Sequence, residues 1–378
     1  MTAASPSSRY SLPDGTHESE LPRLSEDRRR GRGAALNKSG RFEPLSREAF
    51  DDGWDSLDDL PELKTNVQDE RARTIITRNE SPDISFDRSI NPYRGCEHGC
   101  IYCFARPSHA YMGLSPGLDF ETRLFAKPNA AELLERELSK PGYTPRVIAI
   151  GTNTDPYQPL ERSYQLLPKI LEVLENCGHP VAIVTKSSLV TRDIDILSRM
   201  AERNLVKVAL SVTTLDKKLC RVMEPRASAP HKRLAALKAL SDAGIPTSVM
   251  MAPIIPALTD SEIEALLEAA AEHGASEAAY ILLRLPREVS ELFRDWLLRE
   301  RPNRYQHVMN LIRSMRGGKD YDAKWGERMR GLGPYSEQIS KRFSLSAKRL
   351  GLNLRRKKLS IEHFIQPQKG GVQLGLFD

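Results

Sequence analysis

Between residues 84 and 299, short runs of β-branched and aliphatic residues alternate with longer stretches of helical period. The runs lie at residues 84–90, 146–151, 181–185, 206–212, 247–252 and 279–283, and each has the length of a strand. Between them apolar positions recur every three or four residues, as in Leu166-Ile170-Leu171-Leu174, Leu197-Met200-Ala201, Leu234-Leu237-Leu240 and Ile263-Leu266-Leu267-Ala270. That period gives a helix one apolar face to lay on a sheet. Repeated βα units specify a parallel sheet, either closing as a barrel or lying open with helices on both faces. Polar residues follow the runs directly: Thr152-Asn153-Thr154-Asp155, Thr185-Lys186-Ser187-Ser188, Thr213-Thr214 and Arg284. These are strand C-terminal ends, where parallel α/β proteins build their sites.

Outside this region the pattern changes. Residues 1–79 are polar, with a basic run Arg28-Arg29-Arg30-Gly31-Arg32 and an acidic stretch Asp51-Asp52-Gly53-Trp54-Asp55. We expect a partly disordered arm, which alternatively touches nucleic-acid phosphates or folds back over the core, with Phe42, Phe50 and Trp54 as docking points. The core domain is expected over residues 80–299. A basic helical extension follows over 300–365, with helices near 305–316 and 335–350 and the cluster Arg355-Arg356-Lys357-Lys358, and then a tail over 366–378.

The whole chain of 378 residues is 40% apolar and 28% charged, enough to bury a full core. No apolar run approaches the roughly 20 residues of a membrane-spanning helix. The first twelve residues lack the apolar stretch of a secretory signal, so a cytoplasmic protein that does not engage the membrane is expected. A net charge of +6 permits a nucleic-acid partner without specifying one.

Three of the five cysteines fall within eight residues: Cys96, Cys100 and Cys103, in Asn91-Pro92-Tyr93-Arg94-Gly95-Cys96-Glu97-His98-Gly99-Cys100-Ile101-Tyr102-Cys103-Phe104. An odd count, clustered, suits a metal site in a reducing compartment better than disulfides. Three thiolates on one glycine-containing loop can wrap a cubane [4Fe-4S] cluster and leave its fourth iron open. Structural zinc with His98 or His109 as fourth ligand is the competing reading, but such sites usually draw paired cysteine arms from separate turns. Asp155, Tyr157, Gln158, Glu161 and Lys186 are candidates for substrate-side chemistry. Asp155, before a proline, also reads as a turn or cap residue. Cys177 and Cys220 read as buried, inert thiols.

The C-x3-C-x2-C spacing, with aromatic Tyr102 just before the last cysteine, resembles the radical S-adenosylmethionine superfamily. Asn91-Pro92-Tyr93-Arg94-Gly95-Cys96 and Met223-Glu224-Pro225-Arg226 are similar to its spore photoproduct lyase-like branch, often described as DNA repair photolyase-like. The resemblance implies a partial (β/α)6 barrel, with the cluster at its mouth and S-adenosylmethionine on the open iron. It implies reductive cleavage to a 5′-deoxyadenosyl radical, fed by a flavodoxin- or ferredoxin-type electron donor. Thr152 and Asn153 would then meet the methionine amino group, Ser211 and Thr213 the ribose, and Arg226 the carboxylate. Tyr102 and the stretch 251–255 would wall the adenine. The implied substrate is a nucleic-acid lesion or modified base, or alternatively a peptide, protein or RNA. A binding module with a purely structural metal is the non-enzymatic alternative. The lyase keeps a hydrogen-donating cysteine near the end of its second strand; residues 149–155 contain none, so its own reaction does not carry over. Finally, Gln373, Leu374, Leu376 and Phe377 resemble the short peptide by which bacterial repair proteins dock on the sliding clamp.

Overall fold

The computed structural model describes residues 29–43, 63–354 and 357–368. Seven strands form the main sheet: β1 (Ile76–Arg78), β2 (Arg88–Ile90), β3 (Ile148–Ile150), β4 (Val181–Thr185), β5 (Val206–Ser211), β6 (Thr247–Ile254) and β7 (Glu277–Leu282). Strands β2 to β7 lie side by side in chain order and all parallel, and β1 runs antiparallel on the outer edge of β2. Sequential order has no point of reversal, and right-handed crossovers then place every helix on one face. This resolves the alternative left open by the pattern, in favour of a partial (β/α)6 barrel.

The helices α1 (Ala130–Leu138), α2 (Leu166–Asn176), α3 (Ile194–Glu202), α4 (Lys217–Met223), α5 (Pro230–Asp242) and α6 (Ile263–Glu272) follow the strands, with α7 (Glu288–Glu300), α8 (Tyr305–Ser314) and α9 (Pro334–Arg349) after them. Consecutive outer helices touch, α1 on α2, α2 on α3, α5 on α6, and α9 closes the row on α6. Their periodic residues Leu171, Leu174, Leu197, Leu237, Leu240, Leu266 and Leu267 are buried in one core with strand residues Ile148, Ile183, Val208 and Val249. Burying each such side chain contributes about 1.5–3 kcal/mol.

The arm expected over residues 1–79 needs correction where it is described. Ala34, Ala35 and Leu36 are buried, and so is the Arg32 side chain, which donates to the Glu121 carbonyl at 2.8 Å and to the Leu63 carbonyl at 3.0 Å. A strand at Asn66–Asp69 pairs in parallel with Arg123–Ala126 in a small second sheet completed by Tyr93–Arg94. Polar text hid these segments because backbone pairing and a buried guanidinium add to only a few apolar residues, Ala34, Leu36 and Leu63, in fixing them. At the other terminus, residues 357–368 run along the turns that enter the strands: Ser360 N–H donates to Asn204, Ile365 N–H to Cys177, and the Gln366 amide to Lys140. Phe50, Trp54, Arg355, Arg356 and the tail residues Gln373, Leu374, Leu376 and Phe377 lie outside the described residues. Among the described residues no helix is long and apolar enough to cross a membrane.

Candidate active site

The cysteine loop leaves the C-terminal end of β2 and is pinned from several sides. Gly95 and Gly99 take positive φ, +73° and +65°. A Cβ on Gly95 would sit 2.4 Å from Leu124 Cδ2 and 2.9 Å from the Phe120 carbonyl oxygen, so only glycine fits there. Cys96 N–H donates to Phe120 O at 2.9 Å, and Ile101 N–H to Met223 O at 3.0 Å. The Gln158 amide brackets the loop, accepting from Glu97 N–H at 2.8 Å and donating to Gly95 O at 3.2 Å. Beneath the loop the fully buried Arg106 guanidinium donates to the carbonyls of Cys100, Gly99, Pro116 and Gly117 and to Glu121 Oε1 at 2.5 Å. Glu121 in turn accepts from the Gly33 and Ala34 N–H groups. A buried pair whose hydrogen-bonding capacity is filled is rigid, and removal of either partner strands a charge.

Cys96 and Cys100 are buried and Cys103 half-buried, with Ala105 and Phe120 packed behind them. Burial pushes the Cys96 and Cys100 thiols up from their ordinary values, so a metal must displace their protons on binding. Among the described residues no three histidine, cysteine or carboxylate groups are gathered round one point; the three thiols are spread along one turn of chain. His98, the zinc alternative's fourth ligand, lies with Nδ1 3.3 Å from Asp155 Oδ2, and His109 Nε2 is engaged by the Arg123 carbonyl at 2.9 Å. An all-sulfur set on a flexible-φ loop with an apolar backing fits an iron–sulfur cube.

Cys100 and Cys103 open onto a pocket of about 120 Å3 that Tyr102, Lys186, Ala252, Pro253 and Arg284 help to line. Lys186 Nζ lies 5.8 Å from the Tyr102 ring centre and donates to the Ala252 carbonyl at 3.3 Å. Of the sequence candidates, Tyr102 and Lys186 therefore meet at the thiols, as do two residues of the stretch 251–255. Thr152 and Asn153 line a neighbouring cleft of about 620 Å3, which shares Phe104 and Arg284 with the pocket.

Other candidates are turned to different work. Asp155 accepts from Thr185 Oγ1 and Lys186 N–H, each at 2.7 Å, and from Tyr157 N–H at 2.9 Å. Burial alone would raise its carboxyl; His98 and these donors outweigh it and bring it to about 2. It ties the ends of β3 and β4 to the cysteine loop. Tyr157 is fully buried under the Arg192 guanidinium. Glu161 accepts from the N–H groups of Leu166 and Leu167 at the start of α2. Arg226 pairs with Glu97 at 3.1 Å. Ser211 is buried, its carbonyl receiving Arg233 at 2.9 Å, and Thr213 donates to Glu224 Oε1 at 2.8 Å.

Glu224 is the residue that sequence reasoning quoted without giving it a role. Its buried carboxylate receives the Tyr102 hydroxyl, Thr213, the fully buried Arg233 and the Cys220 thiol. It thus fixes the wall of the pocket from 122 residues away in sequence. Cys177 and Cys220 are buried, and burial raises both thiols, Cys177 to about 11.

The comparisons with known proteins agree with this geometry. The family model of the radical SAM superfamily matches residues 90–270. An uncharacterized protein of Mycobacterium tuberculosis is 39% identical over 232 residues, 61% of this chain and 68% of that one. A radical SAM Nalpha-GlyT isomerase of Pseudomonas phage M6 is 27% identical over 187 residues, 48% of this chain and 36% of that one. Spore photoproduct lyase complexed with dinucleoside spore photoproduct superposes with a TM-score of 0.57 at 16% identity, covering 76% of this chain and 80% of that one. Another structure of that lyase holds AdoMet as well, at a TM-score of 0.55, 15% identity and the same coverage. A C-x3-C-x2-C loop at the mouth of a partial (β/α)6 barrel, within a matched family model, makes this chain an enzyme of the radical SAM superfamily, whose cofactors are a [4Fe-4S] cluster and S-adenosylmethionine.

Proposed function

We propose that Cys96, Cys100 and Cys103 hold the cluster, and that the chain cleaves S-adenosylmethionine reductively to act on a nucleic-acid lesion or modified base. The observation that carries this is that the thiol pocket adjoins, across Phe104 and Arg284, a much larger cleft that Arg94, Lys127 and Arg328 help to line. When bound, the cluster supplies one electron to the sulfonium of S-adenosylmethionine, and a carbon–sulfur bond breaks to give a 5′-deoxyadenosyl radical and methionine. The chain's own residues prepare that event. Arg106 and Gln158 hold the loop in one shape, and Glu224 fixes the Tyr102 ring. Lys186 and Arg284 present cations to the pocket, whereas Arg226 is engaged by Glu97; we assign the methionine carboxylate to Lys186, beside Tyr102. Thr152 and Asn153 line the neighbouring substrate cleft.

The neighbour's dinucleoside ligand supports a substrate of this class. The test is anaerobic turnover of reconstituted, dithionite-reduced protein with S-adenosylmethionine and deuterated oligonucleotides. The reading predicts 5′-deoxyadenosine carrying the label; absence of 5′-deoxyadenosine contradicts it. The tail peptide at Gln373, Leu374, Leu376 and Phe377 is assigned to a sliding clamp, and equal clamp retention after deletion of residues 373–378 would reject that.

A further inference from the structure

Around the barrel mouth, exposed aromatic rings and arginines alternate. Phe104, directly after Cys103, is 45% exposed with the Arg284 guanidinium 4.4 Å from its centre. Next along the same rim, Tyr111 and Phe42 are 64% and 55% exposed and stack at 5.3 Å. Arg287 donates to the Tyr111 hydroxyl at 2.9 Å, and Arg41 lies 5.6 Å from the Tyr111 ring centre and 5.2 Å from that of Phe42. Arg284 and Arg287 sit three residues apart in one loop, and neither has an ion pair among the described residues. Burial lowers the Arg284 guanidinium from its ordinary value, a cost that an anionic partner offsets. In the cleft beside it, Arg94 is matched by Glu70 and Arg328 by Asp83. Lys127 Nζ donates to the Asn91 carbonyl at 2.9 Å and has no ion pair among the described residues. Positive charge is therefore left over on both sides of Phe104.

We propose that this rim is a track for single-stranded nucleic acid: bases stack on Phe104, Tyr111 and Phe42, phosphates pair with Arg284 and Arg287, and one nucleoside enters the cleft. The inference rests on the nucleic-acid reading above and deepens it. Exposed rings paired with guanidinium groups recognise any base with a free face. A duplex keeps those faces inside its own stack, so chemistry on a base requires a strand that is already open or a base that is extruded. A cleft of about 620 Å3 is of the size that encloses one small ligand. Asn153 on its wall offers an amide to a base edge.

The experiment is fluorescence anisotropy of a labelled thymidine oligonucleotide of about 12 nucleotides with the reconstituted full chain at low salt, competed by unlabelled single strand or duplex. The cluster's visible absorbance and circular dichroism check that each variant is folded. The track predicts that single strand competes better than duplex. It predicts that the Phe42→Ala, Tyr111→Ala double variant binds at least about tenfold more weakly. It also predicts that Arg287→Gln flattens the salt dependence of binding. Wild type that binds while the folded variants match it, or duplex that competes as well as single strand, overturns the track and leaves the nucleic-acid reading standing. Wild type that binds no oligonucleotide overturns both.

Discussion

The two ends of the barrel are held by different physics. At the mouth, the cysteine loop and the pocket wall depend on buried charges, Arg106 with Glu121, Arg233 with Glu224, and the Asp155 carboxylate with its donors Thr185 and Lys186 N–H. At the base, the turns entering the strands are covered by residues 357–368, and the contact is made chiefly by rings and backbone, with the Arg88 guanidinium, paired with Asp87, behind Tyr143. His179 packs edge-on against Phe364 at 5.5 Å, accepts from or donates to the Tyr143 hydroxyl at 2.9 Å, and meets the Pro180 carbonyl through Nδ1 at 3.0 Å. Apolar packing is tolerant of small changes, whereas a buried ion pair fails all at once when one partner goes. The mouth is therefore where geometry is most fixed and single substitutions are most costly.

The largest expected effect lies at the thiols. Replacing Cys96, Cys100 or Cys103 by Ala removes one of the three proposed cluster ligands, and production of 5′-deoxyadenosine should fall to background while circular dichroism is retained. Next comes the platform beneath them. Arg106→Met leaves Glu121 buried without its cation and should cost about 3–5 kcal/mol, read as a lower urea midpoint together with lower iron content. A variant as stable as wild type would show that the mouth is not held by charge.

The base should respond to acid instead. Burial lowers His179 to about 4 from an ordinary 6.5, so the folded state binds its proton less readily than the unfolded chain. Stability from this group is complete above pH 6.5 and is lost as pH falls toward 4, by up to about 3 kcal/mol. His179→Gln should flatten that part of the profile, measured as the difference in urea midpoint between wild type and variant across this range. The smallest effect is expected for Arg226→Gln. Its half-exposed pair with Glu97 contributes under about 1 kcal/mol, and the affinity for S-adenosylmethionine should change less than it does for Lys186→Met, as read by equilibrium binding.

The same contrast explains what the chain revealed before its fold was known. Apolar periodicity placed β4 at Val181–Thr185 without error and the other barrel strands within a few residues, because area burial leaves a repeating trace in sequence. The cysteine loop was legible because its three thiols are neighbours in sequence. Glu224 and Arg106 were not, since their importance arises from partners brought in by the fold: Tyr102 and Arg233 for one, four loop carbonyls for the other. Asp155 shows the intermediate case. Its place before a proline was visible, but only the meeting of β3, β4 and the cysteine loop shows which groups hold it. The burial of Ala34, Ala35 and Leu36 was hidden by the polar text on either side.

The most direct test of the central claim is the iron and acid-labile sulfide content of anaerobically reconstituted protein, compared with single Cys96→Ala, Cys100→Ala and Cys103→Ala variants. The account predicts about four iron and four sulfide per wild-type chain and their loss in each variant. Zinc without sulfide in the wild type, or iron and sulfide unchanged in the variants, would contradict it.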